Sequence, residues 1–85
     1  MTWRVEFRSS ARAELLQLDP PVRERVLRGL ARLARDPWNA ANVAAMKGTD
    51  EYRLRVGDWR VVYTLHDDVL MVLVIRIGHR RDVYR

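Results

Sequence analysis

The chain of 85 residues is long enough for one domain, residues 1–85, and its net charge is +5. It contains no cysteine, which excludes disulfides and thiolate metal sites, and its two histidines lie on separate segments and make a poor zinc site. No apolar run approaches the ~20 residues that span a bilayer, and no signal peptide is visible, so we expect a cytoplasmic protein without membrane contact. The basic charge favours an anionic partner, either nucleic acid or an acidic protein.

The first part of the chain predicts a strand and a short helix. Residues 3–8 alternate apolar and charged side chains, as in a strand with one solvated face. Ser9 and Ser10 then supply an N-cap. The apolar side of the helix that follows holds Ala11, Leu15 and Leu18.

A longer helix is predicted to follow, with Asp19 as N-cap and Pro20 in the first helical position. The dipeptide Asp36-Pro37 ends it. Apolar residues recur every three or four positions between these limits and form one core-facing stripe. The stripe consists of Val22, Val26, Leu30 and Leu33.

The rest of the chain completes a predicted α+β fold. Residues 37–51 are predicted to be a loop with a short helical turn around residues 40–45. A β-hairpin at residues 52–63 and a second turn at Asp67-Asp68 are predicted next. Residues 69–75 are apolar on both faces, which is typical of an interior strand covered on both sides. The predicted order is β-α-α-β-β-β, an antiparallel sheet with an N-terminal helical hairpin packed on one face.

Residues 52–63 predict a β-hairpin with arginines on one face. Gly57-Asp58 is a two-residue link in which glycine takes a positive φ. Counting outward opposes Arg55 with Arg60 and Arg53 with Val62, and directly opposed residues share a face. The three arginines therefore lie together. The other face is a core surface made of Tyr52, Leu54, Val56, Trp59, Val61 and Tyr63.

The clustered arginines have two interpretations. Like charges directly opposite each other destabilise a hairpin by ~0.2–1 kcal/mol per pair, which a bound anion would offset. The equal alternative is three solvated arginines on the wet side of a half-buried sheet. Counting outward from the second turn opposes Arg60 with Ile75 and Val62 with Leu73. This predicts an apolar floor beside the arginines, where charge–charge interactions are stronger.

The chemistry that these residues suit is metal-free stabilisation of a phosphate. The sequence has no nucleophile–base pair, no clustered carboxylates for two-metal catalysis and no glycine-rich phosphate loop. Arginine binds phosphate in a bidentate manner and stays protonated. Attack of an RNA 2′-hydroxyl on its adjacent phosphate fits, because the substrate itself supplies the nucleophile. We therefore expect no metal and no cofactor.

Three segments resemble the RelE/ParE superfamily of toxins from bacterial type II toxin–antitoxin pairs, and the RelE branch most of all. They are Lys47-Gly48, the hairpin 52–63 and the segment GHRRDVY at residues 78–84. The resemblance implies an endoribonuclease, an mRNA interferase that enters the ribosomal A site and cuts the mRNA by the 2′-hydroxyl mechanism. It also implies an antitoxin partner that is acidic, binds DNA at its other end and blocks the arginine face.

The resemblance also implies roles for hairpin residues. Arg53 and Arg55 correspond to residues that take part in proton abstraction and transition-state stabilisation, and Arg60 to the arginine that holds the scissile phosphate. RelE-type sites carry lysines on the first hairpin strand, and arginine releases a proton far less readily. The general base is therefore open between Arg53 or Arg55 and His79, whose imidazole is the usual proton carrier near neutral pH.

The terminal segment supplies the other candidate residues. By the same resemblance, Arg80 protonates the 5′-oxygen leaving group and Tyr84 orients the substrate or stacks on it. Lys47 and Arg81 are candidates for RNA binding, and Arg76 is predicted to face water.

Two other functions stay open. A ParE-like inhibitor of DNA gyrase would share the fold and lack enzymatic activity. A catalytically inactive relative would bind only RNA or its antitoxin. The presence of Arg80 and Tyr84, a proton donor and an orienting aromatic, favours the nuclease.

Overall fold

The computed structural model, which describes residues 2–83, contains one sheet of five strands with two longer helices against it. The α+β class and the N-terminal helical hairpin are confirmed. The elements in chain order are β1 (Arg4–Phe7), α1 (Ser9–Gln17), α2 (Pro20–Arg35), β2 (Val43–Ala45), β3 (Glu51–Val56), β4 (Trp59–His66), a 3₁₀ turn (Asp67–Val69), β5 (Met71–His79) and a short helix α3 (Arg80–Val83).

The sheet has the strand order β1-β5-β4-β3-β2. Three neighbouring pairs are antiparallel, but β1 runs parallel to β5. The sheet is therefore mixed where a wholly antiparallel one was predicted. The helical hairpin explains this difference, because it carries the chain over one face before the remaining strands form, and parallel strands need such a long connection.

Both helices bury their predicted apolar sides in one core. Val26, Leu30 and Leu33 of α2 are at most 1% exposed, and Val22 packs against them half-buried. Burying a leucine side chain contributes about 1.5–3 kcal/mol. The same cluster includes Ala11 and Leu15 of α1 and the inward side chains of the sheet. The helices thus cover one face of the sheet and leave the other to the arginines.

The ends of α2 are as predicted, with Asp19 and Asp36 as the flanking residues. The predicted serine cap of α1 is wrong, because this helix already begins at Ser9 and Arg8 is its N-cap, without a side-chain hydrogen bond. The Arg8 N–H donates to the Val74 carbonyl at 2.9 Å. The backbone of Arg8 is therefore still paired with β5, and the helix begins at the next residue. Neither serine can then occupy the N-cap position.

Residues 43–45 form a strand, so the predicted helical turn around residues 40–45 is wrong. β2 lies at the sheet edge and opposes Val43 with Leu54 and Ala45 with Tyr52. Pairing with β3 satisfies the backbone hydrogen-bonding groups of β2. This gain outweighs the weak local preference of these residues for a helix. The short helix α3 also lies outside the predicted element order.

The predicted pairs Arg60 with Ile75 and Val62 with Leu73, from which the apolar floor was inferred, are wrong, because the β4–β5 register differs from the count. The connection occupies residues 67–70 rather than two residues, and Leu70 takes a left-handed conformation. A bulge between Val62 and Tyr63 moves the register by one residue more. Arg60 consequently opposes Gly78, and Val62 opposes Arg76.

Strand β5 is an interior strand, as predicted, between β1 and β4. Its burial alternates, however, with Val72, Val74 and Ile77 buried and Leu73 and Ile75 half-buried. Only one of its faces meets the helices, so the predicted cover on both sides is wrong. No helix within residues 2–83 is long and apolar enough to cross a membrane.

Candidate active site

The hairpin has the predicted turn and register. Gly57 takes a φ of +58°, which glycine adopts at little cost, and β3 and β4 diverge from there. Arg55 opposes Arg60 and Arg53 opposes Val62. The alternate residues Leu54, Val56, Trp59 and Val61 belong to the helix-facing core or pack against it.

The arginines cover an apolar residue on the face away from the helices. Val62 is 4% exposed and does not belong to the core cluster. Its neighbours in register are Arg53 on one side and Arg76 on the other. The aliphatic stems of arginines cover apolar surface while their charged ends stay in water, which accounts for this burial. The arginine face thus contains a buried apolar residue between two arginines.

Three predicted catalytic arginines, Arg53, Arg55 and Arg60, surround one groove of about 320 Å³. The small residues Val43 and Ala44 of β2 form its other side, together with Asn42. We call it the hairpin groove. A phosphate in it would meet guanidinium groups from both hairpin strands.

Hydrogen bonds hold two of these guanidinium groups. Arg55 donates to the Asn42 side-chain oxygen at 3.0 Å, and its backbone N–H donates to the Asn42 carbonyl at 2.9 Å. Arg60 donates to the carbonyls of Gly57 and Trp59 at 2.9 and 3.0 Å. Each guanidinium retains further N–H donors for a ligand.

Arg80 lies at the hairpin turn, at the start of α3. Its backbone N–H donates to the Asp58 carbonyl at 2.8 Å, and its guanidinium lies 3.8 Å from the Asp58 carboxylate. Arg60 bonds the carbonyl of Gly57, so both arginines contact the Gly57-Asp58 turn, but Arg80 does not line the hairpin groove.

His79 is separated from the arginine face. It opposes Trp59 across β4 and β5, and the two rings make an edge-to-face contact with centroids 5.5 Å apart. Opposed residues share a face, and Trp59 packs against the helix-side core. The Arg81 N–H lies 3.4 Å from the His79 Nδ1. The imidazole therefore lies on the other side of the sheet from Arg55 and Arg60.

The remaining candidates are not gathered at the groove. Lys47 is exposed in the β2–β3 turn, at the opposite end of β3 from Gly57, and six strand residues span about 17 Å. Arg81 is exposed on α3. Tyr84 lies outside the described residues.

Two residues belong to this face that the sequence interpretation did not place there. Asn42 has a φ of +63° and lines the hairpin groove. Arg76 is exposed, as predicted, but it flanks Val62 and donates to the Asp82 carbonyl at 3.1 Å. Asparagine tolerates positive φ, so Asn42 within a predicted loop was the available signal.

The site can neutralise and orient a phosphodiester. Within residues 2–83, no three His, Cys, Asp or Glu side chains lie together as a candidate metal site. The guanidinium groups at the groove can supply charge stabilisation, with donors already aimed by the turn and by Asn42.

Comparison with known proteins identifies the family. The family model described as the ParE toxin of the type II toxin–antitoxin system parDE matches residues 5–84. The chain belongs to this toxin family. The predicted membership of the RelE/ParE superfamily is confirmed.

Relatives of this toxin carry RelE-type names. The RelG toxin of Mycobacterium tuberculosis is 28% identical over 86 residues, which cover 100% of this chain and 99% of RelG. A free mutant RelE toxin of Escherichia coli is 30% identical with a TM-score of 0.80, covering 99% of this chain and 92% of that one. The RelBE2 toxin–antitoxin complex of M. tuberculosis matches with 25% identity and a TM-score of 0.80, covering 94% of this chain and 100% of that one.

Proposed function

We propose that this toxin is a ribosome-dependent endoribonuclease that cuts mRNA in the A site. The observation that carries the proposal is the convergence of Arg53, Arg55 and Arg60 on one groove. Arg55 and Arg60 oppose each other directly, an arrangement of like charges that costs energy, and a bound phosphodiester offsets that cost. The RelE-type relatives support the same function.

The proposed reaction is transfer of the phosphate to the neighbouring 2′-oxygen. The 2′-oxygen forms a bond to phosphorus as its proton leaves, and the bond from phosphorus to the 5′-oxygen breaks, so the products are a 2′,3′-cyclic phosphate and a 5′-hydroxyl. Arg60 holds the phosphate, and Arg55 stabilises the charge that builds up on it. Arg80 donates a proton to the 5′-oxygen, and Tyr84 orients the neighbouring base.

The geometry favours one of the two proposed sources of the general base. Arg53 and Arg55 line the groove, whereas His79 contacts Trp59 on the opposite face. A general base must come within hydrogen-bond reach of its proton. This favours Arg53 or Arg55 over His79. Because a guanidinium stays protonated near neutral pH, it accepts the 2′-hydroxyl proton only after passing its own proton to a group that the ribosome supplies. Lys47 and Arg81 lie farther away and would contact RNA phosphates other than the scissile one.

The proposed partners are an antitoxin, the ribosome and mRNA. Solved structures of RelE-type relatives include complexes with RelB antitoxins. An acidic antitoxin that covers the arginine face would compete directly with RNA for the hairpin groove. Action on ribosomes places the toxin in the cytoplasm.

Cleavage on programmed ribosomes tests the proposal. We expect the toxin to cut the A-site codon, and Arg60→Ala to lower the single-turnover rate by at least about 100-fold, as loss of a transition-state donor does. Arg12→Ala, at an exposed position of α1 near β1, is the matched control and should cut at the full rate. Ribosomes that retain intact mRNA at saturating toxin would rule the proposal out.

A gyrase inhibitor is the second candidate, favoured by the ParE description of the matching family model. The same protein preparation should be assayed for inhibition of gyrase-catalysed DNA supercoiling. Inhibition together with intact mRNA on ribosomes would select this function over the nuclease.

A further inference from the structure

A second basic groove lies on the helix side of the hairpin, between α2 and β3. Its volume is about 450 Å³, and its rim carries Arg25, Arg28 and Arg32 from α2 and Arg55 from β3. We call it the α2 groove. None of the roles proposed above uses the three α2 arginines.

The α2 arginines form one charged row. They are spaced by three and four residues, so they lie on one side of the helix, and a rise of 1.5 Å per residue spreads them over about 10 Å. Glu24 contacts Arg28 at 3.0 Å, but both side chains are about two-thirds exposed, at 69% and 66%, so this pair is weak. Among the described residues, no carboxylate lines the groove.

The two grooves adjoin at the edge of the sheet. Arg55 and Asn42 line both of them. A chain with regularly spaced negative charges can therefore occupy the hairpin groove and continue past Asn42 along α2 without leaving positively charged surface.

The lining of the α2 groove favours a polyanion over a protein segment. Of its larger apolar residues, Leu33 and Leu54 are only 1% and 5% exposed, and Val56 is half-buried. None of the exposed large hydrophobic residues of the described chain lines it. Protein partners gain most of their affinity from aromatic or aliphatic anchors in pockets, which this groove does not offer. A phosphodiester backbone needs only arginine donors and charge.

We propose that the α2 groove binds the sugar–phosphate backbone of RNA next to the cut site. The inference rests on the proposed nuclease function for its biological setting, but the binding itself is independent of cleavage. The RNA has two sources, the flanking part of the mRNA or a strand of ribosomal RNA, and both present the same phosphates.

The test measures how RNA binding depends on salt. In an Arg60→Ala background that prevents cutting, the triple variant Arg25→Gln, Arg28→Gln, Arg32→Gln is compared with Arg4→Gln, Arg8→Gln, Arg12→Gln. The second set removes the same charge around β1, at the opposite sheet edge. The probes are a 12-nucleotide single-stranded RNA, followed by fluorescence anisotropy, and vacant ribosomes, followed by sedimentation.

We expect the α2 variant to bind RNA at least about 10-fold more weakly than the parent at low salt. The slope of log K against log salt should become shallower by about 2, because each of three lost phosphate contacts contributes about 0.7. The control set should change the slope by less than about 0.5. A loss with the oligonucleotide assigns the groove to the flanking mRNA, and a loss confined to ribosomes assigns it to ribosomal RNA. Equal behaviour of the two sets with both probes overturns the proposal.

A second variant guards against misfolding. Ala41→Glu places a carboxylate in the groove at an exposed position and leaves every arginine intact, and it should weaken RNA binding in the same direction. If RNA binding persists while binding of a glutamate-rich helical peptide is lost, the groove is a protein site and the proposal is wrong. A toxin that binds RNA through α2 but leaves mRNA uncut would refute only the proposed nuclease.

Discussion

Asn42 connects the backbone of the sheet edge to the arginine face. With its positive φ it directs both its carbonyl and its side-chain oxygen at Arg55, at 2.9 and 3.0 Å. One residue thereby fixes the backbone and the guanidinium of Arg55 together. Under the proposed function Asn42 is a positioning residue, because its contacts with a phosphate would run through Arg55.

Two substitutions separate positioning from charge. Asn42→Gly keeps the backbone conformation and removes the acceptor, so we expect the cleavage rate to fall about 5–10-fold with little change in KM, as for loss of one charge-assisted hydrogen bond near the surface. Asn42→Asp keeps an acceptor but adds a negative charge, so KM should rise while kcat is largely kept. Single-turnover cleavage on ribosomes measures both. If both variants changed kcat and KM in the same way, the assigned role would be contradicted.

Tyr63 makes the fold sensitive to alkaline pH. Burial, with a smaller effect of neighbouring Tyr52, raises the pKa of the Tyr63 hydroxyl well above its usual range. The unfolded chain loses this proton near pH ~10 while the folded chain keeps it. The unfolded state then binds fewer protons, so the contribution of Tyr63 to the free energy of unfolding is constant below about pH 10 and falls above it.

Tyr63→Phe tests this account. The hydroxyl is buried without a hydrogen-bond partner among the described residues, an arrangement that costs about 1–3 kcal/mol. We expect the variant to be about 1 kcal/mol more stable at pH 7 and to lose stability more slowly above pH 10, as measured by urea unfolding. Tyr52→Phe, at the half-buried stacking partner, is the control and should retain most of the alkaline loss. A Tyr63→Phe variant with an unchanged alkaline slope would contradict the assignment.

The hairpin was predictable because its signals are local. A two-residue turn with glycine fixes the register of residues 53–62, and alternation then fixes which face each arginine occupies. The stripe of α2 was predictable for the same reason, since periodicity alone decides which side is buried. Residues close in sequence therefore specified most of the candidate site.

The remaining parts depend on distant partners. β2 is a strand because β3 lies beside it, and the β4–β5 register depends on a 3₁₀ turn and a bulge that have no turn dipeptide of their own. The parallel β1–β5 pairing, the position of His79 behind Trp59 and the contact of Asn42 with Arg55 all join separate segments. Local patterns contain no information about such pairings, so counting outward from Asp67-Asp68 failed.

Gly29 sets the distance between α2 and the hairpin. A Cβ at this position would lie 3.2 Å from the Val56 Cγ2 and 3.5 Å from the Leu54 Cδ2. We expect Gly29→Ala to be within about 1 kcal/mol of the parent, because improved helix propensity offsets a tight contact. Gly29→Val should cost about 1–3 kcal/mol, since its branched methyl groups must displace the hairpin. Urea unfolding compares the two variants. Equal stability would show that the hairpin side chains move away from the added methyl groups at no cost.

Antitoxin binding should strongly stabilise the toxin. An 85-residue chain buries a small core and carries a charge of +5, so a partner that binds only the folded form contributes visibly. At 100 times its Kd, such a partner adds about 2.7 kcal/mol, which raises Tm by about 10–20 °C in a domain of this size. Thermal scans with the cognate antitoxin measure the shift, and polyglutamate of equal charge is the control. A similar shift with polyglutamate would mean that charge alone accounts for the stabilisation.

The pairing of β1 with β5 has a consequence for the timing of toxicity. It joins Arg4 to Met71, residues 67 positions apart, and β5 must enter the sheet between two strands that are already synthesised. Closing so long a loop is slow and cannot begin before residues 71–79 leave the ribosome's exit tunnel. The helices and the hairpin reach the cell first, without a completed sheet. The folded toxin thus exists only after nearly all of the chain has emerged, which gives an antitoxin that is already present time to bind it as it folds.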